Sequence, residues 1–429
     1  MTDGFAAGQD AAEELTWPPK PIPSNRRRKR SFLRFLMRGG QTVIGLFSVA
    51  VLLLTWYGWQ FIGDPNAGLA TAGVFDDNDL HAVPLDGAID ILLVGMDSRT
   101  DAQGNPLPRE VLDMLHAGDA DGEKQTDTMI LVHIPQDGRR AVAISFPRDS
   151  WVELAGGFGK HKLNGAFVYA YNEKFKQAQQ RGAGVADADK QAKLAGRKNL
   201  IATVEAFMGK PGMIDRYAEV NLSSFYEVTK AIGGVEVCLK QPVHESKSGV
   251  DLPAGLQTVS GVQALAFVRQ RYDLPNGDLD RIGRQQAFLS GLARKVLSRE
   301  VLTNPGKVAD VIAAVKKSVV LSDNWDLAEF AAQMRGLNSG NVEFRTIPVL
   351  GPAVLGGADV MRVDPQQVHE FVDQLTGEPG KTPTTTTSAP TTTRSPVPPR
   401  SSSASSSVPT TSTAPPTPAI TGGQVACVD

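Results

Sequence analysis

With 429 residues and 44 Lys/Arg against 46 Asp/Glu, the chain is near-neutral, but its charge is unevenly divided. Residues 1–38 hold eight bases against four acids and leave a net of −6 on the rest, which argues against a general nucleic-acid binder, a class usually basic throughout its folded part. Residues 39–63 carry no charged side chain, and 30 of the 39 residues from Thr382 to Ile420 are Ser, Thr or Pro, so neither stretch is an ordinary folded domain.

These shifts divide the chain into a basic segment over 1–40, a membrane-spanning helix over 41–63, a globular region over 64–375 and a disordered tail over 376–429. Gln41 to Gly63 is 23 residues long, enough to cross about 30 Å of hydrocarbon as a helix. Trp56, Tyr57 and Trp59 cluster near one end, where amphipathic rings favour the lipid–water interface, and seven basic residues from Arg26 to Arg38 precede the other. Positive-inside logic keeps the N-terminus cytoplasmic and sends the globular region outside, as a single-pass protein of the cell membrane. A cleaved signal peptide is the alternative, since Ala70-Thr71-Ala72 is an A-x-A-like site, but the apolar run exceeds the usual length of about 7–15 residues.

Apolar runs predict strands over 89–94, 129–134, 141–146, 217–220, 235–239 and 342–347. Helical spacing predicts helices over 165–180, 192–208, 223–232, 261–269, 282–297, 305–317, 327–336 and 365–375, with 182–189 a flexible loop. Interleaved strands and helices indicate an α/β domain, a central sheet covered by helices. Cys238 lies in the strand Val235–Leu239 and Cys427 in an apolar scrap of the tail. Outside the membrane the two can form a disulfide; unrelated thiols or an intermolecular bridge are the alternatives.

There is no G-x-S-x-G, H-E-x-x-H, Walker loop or C-x-x-C, and the six histidines never fall at metal-ligand spacing. Arginine beside aspartate recurs instead at strand ends. Ile91–Val94 runs into Gly95-Met96-Asp97-Ser98-Arg99, Thr126-Asp127-Thr128 opens the next strand, and Ala141–Phe146 runs into Pro147-Arg148-Asp149. In α/β sheets ligands bind beyond the carboxyl ends of strands, although any one such cluster also fits a surface ion pair. The densest stretch is RQRYDLPNGDLDRIGRQQ over 269–286. Arg281, Arg284 and Gln285 lie three and four apart in the first turns of a helix, whose positive end repels cations unless an anion sits there. Asp278 and Asp280 also fit as helix caps. Guanidinium groups suit phosphate or pyrophosphate, and carboxylates at Asp97 and Asp127 suit Mg²⁺, so the set reads as a phosphoryl-transfer site whose general base is not legible.

At these residues the sequence resembles the LytR-CpsA-Psr family of cell-wall phosphotransferases. The segments DILLVGMDSR, TDTMILVHI, AISFPRDSW, KLNGAF and the 269–286 block follow in the family's order, and the last, R-x-R-x6-D-x2-R-x3-Q, is the most specific. The resemblance implies an αβα sandwich with an apolar tunnel for a polyprenyl-pyrophosphate lipid. It implies transfer of a glycopolymer phosphate from that lipid onto peptidoglycan, at the 6-hydroxyl of N-acetylmuramic acid, with Mg²⁺. Carried over, Asp97 and Asp127 match the metal-binding aspartates. Arg148, Arg269, Arg271 and Arg281 match the pyrophosphate-binding arginines, with Gln285 beside them, while Lys162 and Asp278 match further family positions. Arg99 and Arg284 are additional substrate-binding candidates. The sequence departs from the family at Gln125, where many members have arginine, at Asp280, where many have glycine, and in the 29 residues between Asp97 and Asp127.

Phe167, Tyr171, Phe207, Phe225, Leu265, Phe267, Phe288 and Leu292 are candidates to line the tunnel, ordinary core being the alternative for each. The reading is thus a membrane-anchored glycopolymer–peptidoglycan phosphotransferase. The alternatives are a lipid pyrophosphate hydrolase and a non-catalytic lipid- or wall-binding anchor. The donor polymer is open among arabinogalactan, teichoic acid and capsular polysaccharide, with arabinogalactan favoured by the family's actinobacterial members.

Overall fold

The computed structural model describes residues 69–75, 87–100, 105–118, 124–135, 140–298, 301, 304–323, 325–326, 330, 341–377 and 420–429. The chain divides into two units, Met1–Gly63 and Asp64–Asp429, and every described residue belongs to the second. The basic segment, the 41–63 span, the Ser/Thr/Pro run up to residue 419 and all but Phe330 of the 327–336 helix lie outside the described residues. Among the described residues no helix is long and apolar enough to cross a membrane.

In chain order the strands are β1 (Ala70–Ala72), β2 (Ile89–Met96), β3 (Thr126–Ile134), β4 (Ala141–Ser145), β5 (Trp151–Leu154), β6 (Gly159–Lys162), β7 (Arg216–Val220) and β8 (Val235–Leu239). Then come β9 (Val243–Glu245), β10 (Val250–Leu252), β11 (Gly255–Val259), β12 (Val319–Ser322), β13 (Val342–Thr346), β14 (Gly351–Leu355), β15 (Ala358–Arg362), β16 (Ile420–Thr421) and β17 (Cys427–Val428). The helices are α1 (Arg109–Met114), α2 (Gly165–Gln180), α3 (Val185–Met208), α4 (Leu222–Ala231), α5 (Gly261–Arg269), α6 (Asp278–Val296), α7 (Pro305–Ser318) and α8 (Pro365–Thr376).

A mixed eight-stranded sheet, ordered β1-β12-β7-β2-β3-β4-β13-β16, forms the centre. Its inner strands are apolar on both sides because both faces are covered. Leu92, Val94, Met129, Leu131 and Ile144 pack with Leu200, Val204 and Met208 of α3 and with Val368 and Val372 of α8. Ile91, Ile130, Ala143 and Ala218 turn to the opposite face, where Ala287 of α6 joins them. A further cluster joins α1, α4, α5 and α6 to the β8–β11 pair. Local sequence sets the helix ends. The Asn221 side chain caps α4 by accepting from the Ser224 N–H at 2.8 Å, and Gly209 (φ 70°) ends α3 in the left-handed region that favours glycine.

Two expectations change. Residues 182–189, expected as a flexible loop, already contain the first turn of α3 from Val185, because Val-Ala-Asp-Ala carries no breaker after Gly184. The last ten residues of the expected disordered tail, 420–429, contain two short strands. β16 pairs with β13, β17 runs parallel to β8, and Cys427 is disulfide-bonded to Cys238. Closing a 189-residue separation is worth about 5 kcal/mol on chain-entropy grounds.

One buried ion pair ties the α3 layer to the sheet. Arg197 of α3 donates to both carboxylate oxygens of Glu219 on β7 at 2.8 and 2.9 Å, and the Tyr217 hydroxyl donates to the same carboxylate at 2.8 Å. Burial raises the Glu219 pKa, but the Arg197 guanidinium outweighs it and holds the carboxyl below its usual value. The pair therefore stabilises the fold above the ordinary carboxylate range, and its contribution is lost as pH falls through the lowered value. Arg197→Ala is expected to cost about 3–5 kcal/mol at pH 7, because Glu219 is left buried and uncompensated, with the gap from the parent narrowing in acid. Urea denaturation at pH 7 checks this; a loss under about 1 kcal/mol would contradict it.

Candidate active site

The site begins at a fault in the sheet. β2 and β3 pair in antiparallel register until Gly95 faces Thr128, and then Met96 faces Thr126, which leaves Asp127 as the extra residue of a bulge. Strict alternation would send Asp127 and Thr128 to opposite faces, but both line one cavity. Glycine at position 95 suits this close approach, since a Cβ there would stand 3.0 Å from that of Thr128 and push it aside. Asp97 follows directly after β2, its N–H donating to the Gln125 carbonyl at 3.1 Å.

Two further segments close on these aspartates. Arg148, in the turn after β4, donates to Asp127 Oδ1 at 2.7 Å, and Arg271, after α5, donates to Asp127 Oδ2 at 2.5 Å. Asp278, in the first turn of α6, has its Oδ1 3.4 Å from Arg148 Nε and 2.6 Å from Arg281 Nη2. Arginines and aspartates thus alternate as Arg271, Asp127, Arg148, Asp278 and Arg281. Arg269 and Arg99 complete the rim. Arg269 donates to the Leu115 carbonyl at 3.0 Å and Arg99 to the Ala117 carbonyl at 2.6 Å, so the turn after α1 holds both.

Behind this rim lies a cavity of 520 Å³ between the sheet and α4–α7. Asp97, Asp127, Arg269, Arg271, Arg281 and Gln285 line its polar end; Leu93, Ile130, Val220, Phe225, Leu265 and Val268 are among its apolar walls. One stripe of α6 runs through both parts. Arg281 and Gln285 stand at the polar end and Phe288 and Leu292 in the apolar end, spaced four, three and four residues apart. That stripe extends over about 16 Å at 1.5 Å per residue, and it suits an amphiphile with an anionic head.

Electrostatically the site is unfinished. Arg99, Arg148, Arg269, Arg271 and Arg281, with Lys162 at the edge, face Asp97, Asp127, Asp149 and Asp278, an excess of two positive charges. Burial pushes Arg281 down to about 10, which still leaves it cationic at neutral pH, and its Nε and Nη1 are buried without a hydrogen-bond partner. Burial also raises the pKa of Asp127, but Arg148, Arg271 and Arg281 together hold it below its usual value. Asp97 differs: burial and then the neighbouring Asp127 outweigh Arg99 and hold its carboxyl above the usual value, and its Oδ1 is buried without a partner. Unmet guanidinium donors call for an anion rich in acceptor oxygens. A partnerless carboxylate oxygen beside a second carboxylate fits a hard divalent cation sharing that anion, since Mg²⁺ commonly takes one or two carboxylates plus phosphate oxygens. Among the described residues no three His, Cys, Asp or Glu side chains gather into a cage of protein ligands alone.

Of the residues expected from the sequence, Asp97, Asp127, Arg148, Arg269, Arg271, Asp278, Arg281 and Gln285 come together here. Lys162 stands at the edge, its ammonium 2.9 Å from Asp149, which neighbours Arg148. Arg284 does not line the cavity: its guanidinium is fully buried on another side of α6, bonded to Gln270 and to the Asp429 carbonyl. Asp280 closes the preceding loop, accepting from the Asn276 N–H and side-chain amide at 2.7 and 3.0 Å. Gln125 accepts from Asn164 Nδ2 at 3.1 Å, and the Asn164 N–H donates to the Arg148 carbonyl at 3.0 Å, so a neutral brace stands at that departure from the family. Of the tunnel candidates, Phe225, Leu265, Phe288 and Leu292 line the cavity, while Phe167, Tyr171, Phe207 and Phe267 pack in the core. Sequence reasoning passed over Tyr272 and Lys247, which also line the cavity, the ammonium 3.7 Å from the ring centroid. The tyrosine's place beside Arg271 was a usable signal; nothing in the sequence marked the lysine.

A family model described as the LytR_cpsA_psr family matches residues 73–377. The cell wall biosynthesis protein LcpA of Corynebacterium glutamicum is 42% identical over 354 residues, 80% of this chain and 66% of that protein. The chain therefore spans just under two thirds of the length of that relative. A protein of Enterococcus faecalis named polyisoprenyl-teichoic acid–peptidoglycan teichoic acid transferase TagU is 26% identical over 254 residues, 59% of this chain and 73% of that one. The crystal structure of protein gbs0355 from Streptococcus agalactiae superposes with a TM-score of 0.50 at 18% identity, covering 67% of this chain and 88% of that one, and shows the same mixed α/β fold.

The raised Asp97 carboxyl has a testable consequence without any ligand. Its ionisation costs folded-state stability at neutral pH, and that cost disappears as pH falls through the raised value. Asp97→Asn is expected to stabilise the ligand-free protein at pH 7 by on the order of 1 kcal/mol, about 2–4 °C in melting temperature, with the advantage vanishing in acid. Thermal denaturation across pH checks this, and a variant less stable than the parent at pH 7 would contradict it.

Proposed function

The chain belongs to the LytR_cpsA_psr family, and from that premise we propose that it is a membrane-anchored phosphotransferase. It moves a glycopolymer phosphate from a polyprenyl-pyrophosphate lipid onto peptidoglycan. The observation that carries the reading is the join between an apolar cavity and an arginine-rich mouth on one stripe of α6. The prenyl chain occupies the cavity, and the pyrophosphate meets Arg269, Arg271 and Arg281. A single-pass anchor at 41–63, with the N-terminus cytoplasmic, places this mouth outside the membrane where peptidoglycan lies. Arabinogalactan is the polymer we favour, on the sequence's resemblance to the family's actinobacterial members.

In the transfer, the acceptor's hydroxyl oxygen bonds to the sugar-bearing phosphorus, the bridging P–O bond breaks, polyprenyl phosphate departs and one proton is released. Positioning and charge neutralisation dominate such chemistry. Arg271 and Arg281 orient the two phosphates, and Arg148 fixes Asp127 and Asp278 in place. Mg²⁺, held by Asp97 and Asp127, would supply further neutralisation of phosphate charge.

The test is turnover of a polyprenyl-pyrophosphate sugar by the detergent-solubilised full chain, with and without Mg²⁺ and peptidoglycan. Metal-dependent linkage of sugar phosphate to peptidoglycan is expected, with chelation abolishing it. Phosphate release without linkage would replace the transferase with a hydrolase, and tight lipid binding without turnover would make the protein an anchor. Arg271→Ala is expected to weaken donor binding by about 2–4 kcal/mol. Its side chain is 44% exposed, so its melting temperature should stay near the parent's. Unchanged donor affinity in this variant would overturn the assignment of Arg271.

A further inference from the structure

Arg284 lies three residues after Arg281 on α6 yet takes no part in lining the cavity. Its guanidinium is 0% exposed and lies over the Phe267 ring at 5.3 Å. Nη1 donates to the side-chain oxygen of Gln270, and Nε donates to the Asp429 carbonyl at 2.5 Å. Gln270, itself 1% exposed, stands between Arg269 and Arg271, and its amide donates onward to the Tyr272 carbonyl at 2.8 Å. This buried guanidinium therefore grips the side chain of the residue that stands between two of the site's arginines.

The far anchor, Asp429, is also fixed. Cys427 is bonded to Cys238, the Lys240 N–H donates to the Val428 carbonyl at 2.9 Å, and Lys240 Nζ pairs with the Asp429 carboxylate at 2.6 Å. Upstream, the same segment lies along α6: Ser290 donates to the Thr421 carbonyl at 3.2 Å and Arg294 to the Gln424 carbonyl at 3.0 Å. Arg294, however, lies ten residues beyond Arg284 on α6, about 15 Å along the helix axis.

We propose that Arg284 is a positioning residue, which holds Gln270, and through it Arg269 and Arg271, in anion-binding geometry against the disulfide-anchored segment 420–429. The proposal rests on the reading of these two arginines as pyrophosphate ligands. A buried guanidinium has fixed donor directions and cannot drift without losing its partners, so the Arg269–Tyr272 span is pinned at its middle. Lysine at 284 keeps the charge but not the two-directional fork.

The experiment uses the full chain in detergent and inorganic pyrophosphate as the calorimetric probe. Arg284→Lys and Gln270→Met are each expected to lower pyrophosphate affinity about tenfold, the effect of losing one interaction of moderate strength. Arg294→Met loosens the same segment at a point remote from Gln270 and should leave the affinity within about twofold of the parent. Equal losses in all three variants, or none in the first two, would overturn the proposal. Hydrogen exchange of residues 269–277 without ligand gives a readout independent of the donor reading. Faster exchange in Arg284→Lys and Gln270→Met, but not in Arg294→Met, supports positioning; uniform rates refute it. A parent that binds no pyrophosphate while showing this exchange pattern would remove the donor reading and leave the positioning intact.

Discussion

Guanidinium groups taken out of water must be met by anions, and at the mouth of this cavity the protein's own aspartates meet only part of that demand. Asp127 is shared between Arg148 and Arg271, and Asp278 between Arg148 and Arg281. Each aspartate braces two arginines, yet Arg281 keeps two buried nitrogens with no partner. The arrangement is rigid without being neutral. That is the condition for binding a charged ligand at little reorganisation cost, since the donors are already aimed.

The fold reaches this condition by ordinary means. Strands β2 and β4 deliver Asp97 and Arg148 from their carboxyl ends, and a bulge adds Asp127 where alternation alone would point it elsewhere. The same sheet face then supplies apolar wall through Leu93, Ile130 and Val220, in the cavity that Asp97 and Asp127 also line. Helix α6 repeats the gradient along its own axis, from Arg281 to Leu292. Charge and hydrocarbon are thus brought together twice, by a strand pair and by a helix.

Much of this was legible in the sequence because arginine and aspartate at strand ends and at a helix start are costly unless used. Spacing in the 269–286 block singled out Arg281, Arg284 and Gln285, whereas Arg271 entered through the family resemblance. Arg284 shows the limit. It fits the same three-and-four pattern, and only packing reveals that it points behind the site toward Phe267 and Asp429. Phe288 and Phe267 were likewise indistinguishable, because a ring beside a cavity and a ring in a core have the same composition around them. The bulge at Asp127 is a matter of register, which no single strand carries. The return of 420–429 to β8 and β13 depended on partners some 190 and 80 residues away, so two-residue strands there had no local signature. Helix α1 is six residues long, too short for periodicity to show, although the turn after it holds Arg99 and Arg269.

The central claim is that the cavity and the arginine rim bind one molecule, an isoprenyl pyrophosphate. Its most direct test is calorimetric titration of the full chain with geranylgeranyl pyrophosphate, geranylgeraniol and inorganic pyrophosphate under one set of conditions. The account predicts that the intact amphiphile binds at least about a hundredfold more tightly than either half, the signature of two sites joined by one ligand. Equal affinity for the amphiphile and the alcohol would show that the rim does not hold the phosphates. Equal affinity for the amphiphile and pyrophosphate would show that the cavity does not hold the chain.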